Sequence, residues 1–170
     1  MASVLIVDGY NVIQAADRYA TLARRDMDAA RALLVADVAA HAHDVTEALI
    51  VFDGAENPAS DGAPHDAAGV TVVFSAYGHE ADEVIEELAA RRRGAGDQVT
   101  VVTSDAETQW VTLGLGAERL SSGEFAEAMS AERLERQESA TTFAGKRVAV
   151  EDLLDASTRE ALSSWARGRR

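Results

Sequence analysis

The order of signals along this 170-residue chain predicts an α/β domain of three layers, with helices on both faces of a mainly parallel central sheet of four to five strands. Two observations predict it. Short runs of Val, Leu, Ile and Phe are continuous rather than alternating, the pattern of strands buried on both faces. Between them lie stretches with apolar residues at helical spacing, and strand–helix alternation implies right-handed crossovers between parallel strands.

Taken in order, SVLIVDG (3–9) reads as the first buried strand and MDAARALLVADVAAHAHD (27–44) as an Ala-rich helix. EALIVFDG (47–54) is a second strand. Residues 55–68 hold Pro58, Pro64, Asn57, Ser60, Asp61 and Gly62, and read as an irregular, mobile loop. GVTVVFSA (69–76) is a third strand. HEADEVIEELAARRRG (79–94) is a helix with acids in its first turns, arginines in its last and Gly94 as its stop. DQVTVVTSD (97–105) is a fourth strand, AETQWVTLGLG (106–116) a short helix and AERLSS (117–122) a brief fifth strand. Residues 122–138 and 150–168 read as two helices joined by the polar SATTFAGKR. No repeat or composition shift marks a boundary, so residues 1–170 are read as one domain, with 128–170 a C-terminal helical extension packed on or beside it.

Composition narrows the function. There is no cysteine, which excludes disulfides and thiolate metal sites and fits a reducing compartment. No run approaches the roughly 20 apolar residues that span a bilayer, and the start lacks a signal-peptide pattern. The expectation is a soluble, cytoplasmic protein with no membrane partner. A formal charge of −13 argues against loose adhesion to nucleic acid, but leaves room for an acidic cluster that holds cations.

Three strands end on an aspartate: Asp8 after VLIV, Asp53 after LIVF and Asp105 after VTVVTS. Asp82 falls at the head of the helix that follows the third strand. Parallel strands bind ligands outside their carboxyl ends, so all four acids are expected on one rim. Crowded carboxylates repel unless a cation neutralises them, and oxygen ligands without cysteine favour Mg²⁺ or Mn²⁺ over zinc. Each aspartate, taken singly, reads equally as a turn residue or a helix cap, and the glycines after Asp8 and Asp53 support the turn reading. The shared placement points to metal-dependent phosphoryl transfer or hydrolysis.

LIVDGYNVI, IVFDG, VVFSAYGHEADEVIEE and VTVVTSDAETQ together resemble the YacP-like branch of the NYN domains, relatives of the PIN-domain nucleases, from Ser3 to about Glu127. The resemblance implies a PIN/NYN-like fold and a Mg²⁺-dependent (or Mn²⁺-dependent) endoribonuclease. Its substrate would be RNA, mRNA on the ribosome or RNA in processing. It implies Asp8, Asp82 and Asp105 as the metal-binding and catalytic set. Asn11 would position Asp8 or a metal-bound water, and Asp53 would stand behind the ligands rather than among them. Thr103 and Ser104 carry hydroxyls that reach a metal water or a phosphate oxygen, or else cap a helix.

Arg24 and Arg25, close in sequence to DGYN, and Lys146 and Arg147 are the candidate RNA contacts. Arg91, Arg92 and Arg93 read first as dipole partners closing their helix. His79 is a candidate proton carrier, Tyr10 a stacking or packing residue, and Trp110 and Trp165 core or partner-facing. Two other readings stand beside the nuclease: a non-catalytic RNA- or ribosome-binding factor, and a small-molecule phosphatase. The first has no use for several carboxylates facing phosphate. The second lacks the second aspartate, two residues past Asp8, of an aspartyl-phosphate mechanism.

Overall fold

A computed structural model describes residues 1–105, 114 and 116–152, the side chains of 142–152 excepted. Among the described residues the strands are β1 (Ser3–Asp8), β2 (Glu47–Phe52), β3 (Pro64–Ala67), β4 (Val70–Phe74), β5 (Gln98–Val102) and β6 (Glu118–Leu120). The helices are α1 (Gly9–Ala15), α2 (Asp17–Ala23), α3 (Met27–His41), α4 (Ala81–Gly94) and α5 (Ser122–Asp152), with a 3₁₀ turn at Ala42–Asp44. The strands form one sheet in the order β3-β4-β2-β1-β5-β6, parallel throughout except for β3 against β4.

The uninterrupted apolar runs explain the central position of β1 and β2. In β1, Leu5 and Val7 pack with α1–α3, Phe125 and Met129, while Val4 and Ile6 pack with Ile85, Leu88 and Ala89 of α4. Both faces are therefore covered, as a parallel sheet requires. The chain moves from β1 to β2 by α1–α3 on one face, then from β4 across to β5 by α4 on the other. Strand order reverses between β1 and β5, which makes their carboxyl ends the crevice where such sheets bind ligands.

The structure departs from the sequence expectations at three places. Residues 64–67, expected within a loop, pair with β4 as an antiparallel strand; Pro64 is tolerated because β3 is an edge. Residues 9–23, given no helix, form two short ones, the first capped by Asp8. The polar segment 139–147, expected to separate two helices, lies inside α5; it holds no proline, and its Ser, Thr and Gly residues weaken a helix without breaking it. The predicted helix at 106–116 and residues 153–168 of the last one lie largely outside the described residues. By its contacts the chain divides into Met1–Ser130, which holds the whole sheet, and Ala131–Arg170, of which α5 is described as far as Asp152.

Candidate active site

Asp8 ends β1 and is only 5% exposed. Its side chain caps α1: the Asn11 amide donates to Oδ1 at 3.1 Å, and the Asn11 side-chain amide donates to Oδ2. Thr103, fully buried just past β5, donates its hydroxyl to the same Oδ2 at 3.5 Å. Burial pushes the Asp8 carboxyl above the ordinary aspartate range. Hydrogen bonds from Asn11 and Thr103 oppose that push, and the charge of Asp82 reinforces it. Among the described residues neither Asp8 nor Asp82 has an ion-pair partner.

A buried carboxylate facing another carboxylate is a liability to folding, worth several kcal/mol per ion. The four apolar side chains that seat β1 each contribute about 1.5–3 kcal/mol when fully buried, enough to hold Asp8 there. The glycine after it has a steric role rather than the turning role read from the sequence. A Cβ at Gly9 would lie 2.3 Å from the Phe52 ring, and Gly9 is the first residue of a helix, not a positive-φ turn. Gly54 is alike: its Cβ would meet the Ser75 carbonyl oxygen at 2.3 Å.

Asp82 sits in the first turn of α4, half-exposed, where the helix dipole favours a negative charge. Asp53 is exposed and acts by holding that helix in place. Its Oδ1 accepts from the Ala55 amide at 2.8 Å and its Oδ2 from the Ala81 amide at 3.3 Å, one residue before Asp82. Asp105 is half-buried two residues past Thr103, and its amide donates to the Thr103 hydroxyl at 3.1 Å. Thr103 thus ties the turn that carries Asp105 to the Asp8 carboxylate. Asp8, Asp53 and Asp105 all follow the carboxyl ends of neighbouring strands, as expected. The expectation of one crowded cluster is not met: among the described residues no three acidic or histidine side chains are gathered closely enough to hold a metal ion. The acids are carried by three strand ends and a helix, and the charge of Asp82 acts on the Asp8 carboxyl.

The other candidates are dispersed. Ser104 is exposed, and its hydroxyl accepts from the Ser122 amide at 3.2 Å, so it caps α5. Arg24 and Arg25 are exposed at the end of α2, with Arg24 bonded to Thr21 at 3.1 Å. Lys146 and Arg147 lie on the backbone of α5, and their side chains are outside the described residues. His79 faces Glu83 at 2.9 Å on the surface. Arg92 and Arg93 tie the end of α4 to Glu47 and Asp97 at the opposite end of the sheet. Trp110 and Trp165 lie outside the described residues. Sequence reasoning passed over Arg31, which lies against Tyr10; the only signal was an arginine bordering the Ala30–Leu34–Val38 apolar stripe.

The chemistry of these donors suits a hard divalent cation. All are oxygens, the central carboxylate is forced upward in pKa by its surroundings, and among the described residues no lysine or arginine neutralises the pair. Mg²⁺ commonly takes one or two protein carboxylates and completes its shell with water and substrate phosphate. A pair backed by further acids on the rim fits that ion better than it fits an all-protein cage.

Comparisons with known proteins show the family. A sequence profile described as the YacP-like NYN domain matches residues 5–167. The Bacillus subtilis (strain 168) protein described as "Uncharacterized protein YacP" is 30% identical over 176 residues, covering 97% of each chain. Two crystal structures of Rae1 (YacP) from Bacillus subtilis are similar. One, of a tryptophan-to-leucine mutant, matches at 31% identity with a TM-score of 0.65 over 82% of both chains. The other matches at 30% identity with a TM-score of 0.62, over 97% of this chain and 95% of that one.

Proposed function

The chain belongs to the YacP-like NYN domain family, with its PIN-like nuclease fold, and from that premise we propose that it is a metal-dependent endoribonuclease. The observation that carries the proposal is the buried Asp8 carboxylate at the β1–β5 crevice, opposed by Asp82 and fixed by Asn11 and Thr103. Asp8 and Asp82 would hold Mg²⁺ or Mn²⁺, with Asp105 on the neighbouring strand end and Asp53 behind them as the anchor of α4. When bound, the ion would lower the pKa of a water into the neutral range and screen the phosphate from the acids.

The chain's own residues do the rest. Two donors from Asn11 lock the Asp8 carboxyl in one orientation, so no reorganisation is needed as charge develops. The Thr103 hydroxyl keeps the Asp105 turn in register with Asp8. Exposed Arg24 and Arg25, with Lys146 and Arg147, would meet the RNA backbone. Those few cations stand against a net charge of −13, so free RNA is a poor partner. We therefore infer that the substrate is mRNA presented by a ribosome, in the cytoplasm.

Purified chain incubated with RNA, DNA and a chromogenic phosphate ester, with and without Mg²⁺ or Mn²⁺, tests the reaction class. Of the three, only RNA is expected to be cut internally, slowly when free and faster when presented on ribosomes, only with metal, and not by Asp8→Asn or Asp105→Asn variants of unchanged circular dichroism. Ester hydrolysis without RNA cleavage would make it a phosphatase. Ribosome co-sedimentation without any cleavage would make it a binding factor.

A further inference from the structure

Beside the Asp8 turn, on the same rim, lies a cavity of ≈ 350 Å³ that the chemistry above does not use. Its floor is Arg31 set among aromatic rings. The guanidinium carbon is 5.3 Å from the Tyr10 ring centre, 5.6 Å from Phe74 and 6.0 Å from Phe52. Its Nε donates to the Tyr10 hydroxyl at 3.0 Å and its Nη1 meets Asp28 at 2.5 Å, so the guanidinium plane is fixed while the side chain stays 27% exposed. The rings are ordered too, Phe52 stacking on Phe74 at 5.3 Å and tilted against Tyr10 at 5.2 Å.

The wall comes from the segment after β2. Asn57 and Asp61 each spend one oxygen on a turn, accepting from the Ala59 amide at 3.1 Å and the Ala63 amide at 2.9 Å. That leaves Asn57 Nδ2 as a donor and Asp61 Oδ2 as an acceptor, neither bonded among the described residues, on a cavity both residues line. A planar cationic and aromatic floor with a mixed donor–acceptor wall suits an unpaired base, which takes stacking on its face and hydrogen bonds on its edge. The volume lies within the range of small-ligand sites and leaves room for little more than one nucleotide. Position links the cavity to the acids. Tyr10 sits between Gly9 and Asn11, and Asp53, which also lines the cavity, holds the helix that bears Asp82.

We propose that this cavity receives one unpaired nucleotide of the RNA substrate, its base laid on Arg31, Tyr10 and Phe74 and its edge met by Asn57 and Asp61. The nucleotide next to it along the strand then presents its phosphodiester to Asp8 and Asp82, so the cavity sets where the chain is cut. The cleavage part rests on the endoribonuclease reading; the binding part does not.

Calorimetric titration of the full chain with the four nucleoside 5′-monophosphates, with ribose 5-phosphate as the baseless control, tests occupancy. At least one mononucleotide is expected to bind about tenfold or more tighter than ribose 5-phosphate, and Arg31→Met to lose about tenfold. The exposed-wall variant Asn57→Ala, which leaves the floor intact, should lose less but measurably. Equal binding of the sugar phosphate, or mononucleotide binding indifferent to both substitutions, overturns the proposal. The same mononucleotide should inhibit RNA cleavage competitively, and Arg31→Met should raise KM for RNA about tenfold while kcat falls less than threefold; a pure kcat loss at unchanged KM overturns the placement. Mononucleotide binding that depends on Arg31 in a chain that cuts no RNA would leave the cavity standing and remove the nuclease. Cleavage that ignores Arg31 would do the reverse.

Discussion

Two buried aspartates stand at opposite ends of the same sheet, and their surroundings differ in sign. Asp97, 9% exposed just before β5, accepts from the Ala2 amide at 2.9 Å and lies 3.9 Å from Arg92, while Arg93 donates to its carbonyl at 2.8 Å. Asp8, 5% exposed at the end of β1, has among the described residues only amide and hydroxyl donors beside it, with the like charge of Asp82 acting on it. Burial alone therefore does not mark a site. Asp97 is what a buried carboxylate looks like when it serves the fold: charge matched, both ends of the chain segment tied down. Among the described residues no cation matches Asp8, and in a protein of marginal stability a buried, perturbed acid of that kind marks a candidate functional site.

The comparison breaks most sharply on activity. Asp8→Asn should reduce Mg²⁺-dependent RNA cleavage to background, whereas Asp97→Asn should leave kcat within about twofold of wild type after correction for folded fraction. Gel-resolved single-turnover cleavage measures both. Equal losses would mean that the two aspartates are alike and the sign of their neighbours uninformative.

Metal should separate them next. At about 100 times its dissociation constant a ligand that binds only the folded chain adds about 2.7 kcal/mol, a rise of several degrees in Tm for a chain of this size. Mg²⁺ or Mn²⁺ is expected to give that rise in wild type and in Arg92→Ala, and to give none in Asp8→Asn, in scanning calorimetry. Arg92→Ala itself should lower stability by about 1–2 kcal/mol, because it strips Glu47 and Asp97 of their cation. The figure is held below that for a fully buried pair because the Arg92 side chain is 30% exposed.

Without metal the two ends should also differ in pH response. The Asp8 carboxyl titrates higher in the folded chain than in the unfolded one, so folding favours its protonated form. Stability present below the ordinary aspartate value is then lost as pH rises through the raised one. Asp8→Asn abolishes that loss. In chelated buffer the Tm of the variant relative to wild type should climb as pH rises above the ordinary aspartate value, and added Mg²⁺ should cancel the climb by stabilising wild type alone. A pH-independent difference would show that burial of Asp8 costs the fold nothing.

How much of this was legible in the sequence follows from which interactions are local. Asp8 and Asp53 could be placed because unbroken Val/Ile/Leu runs fix where a buried strand ends, and Asp82 because acids, then arginines, then Gly94 delimit a helix. The Asn11-to-Asp8 bonds span three residues and belong to one cap. By contrast, the hold of Asp53 on Ala81 spans 28 residues, the Thr103–Asp8 bond spans 95, and the Arg31 bed joins α1, α3, β2 and β4. No periodicity announces such contacts. Strand β3 was hidden for another reason: an exposed edge strand of Pro-His-Asp-Ala has no apolar pattern to betray it.

Ser104 is where the smallest effect decides between a site and a scaffold. It lies beside Asp105 on the active rim, yet its hydroxyl accepts from the first amide of α5. Ser121 supplies a second cap there, accepting from the Glu124 amide at 3.2 Å while Glu124 accepts in return from the Ser121 amide at 3.1 Å. If both serines only satisfy the free amides of that helix, Ser104→Ala and Ser121→Ala should each cost about 1 kcal/mol of stability, read by urea denaturation, and neither should move kcat. If Ser104 instead meets the scissile phosphate, its substitution should slow cleavage several-fold with a stability loss no greater than that of Ser121→Ala. The geometry favours the first outcome, since the Ser104 oxygen already accepts from the first amide of α5 and so has a capping role to keep.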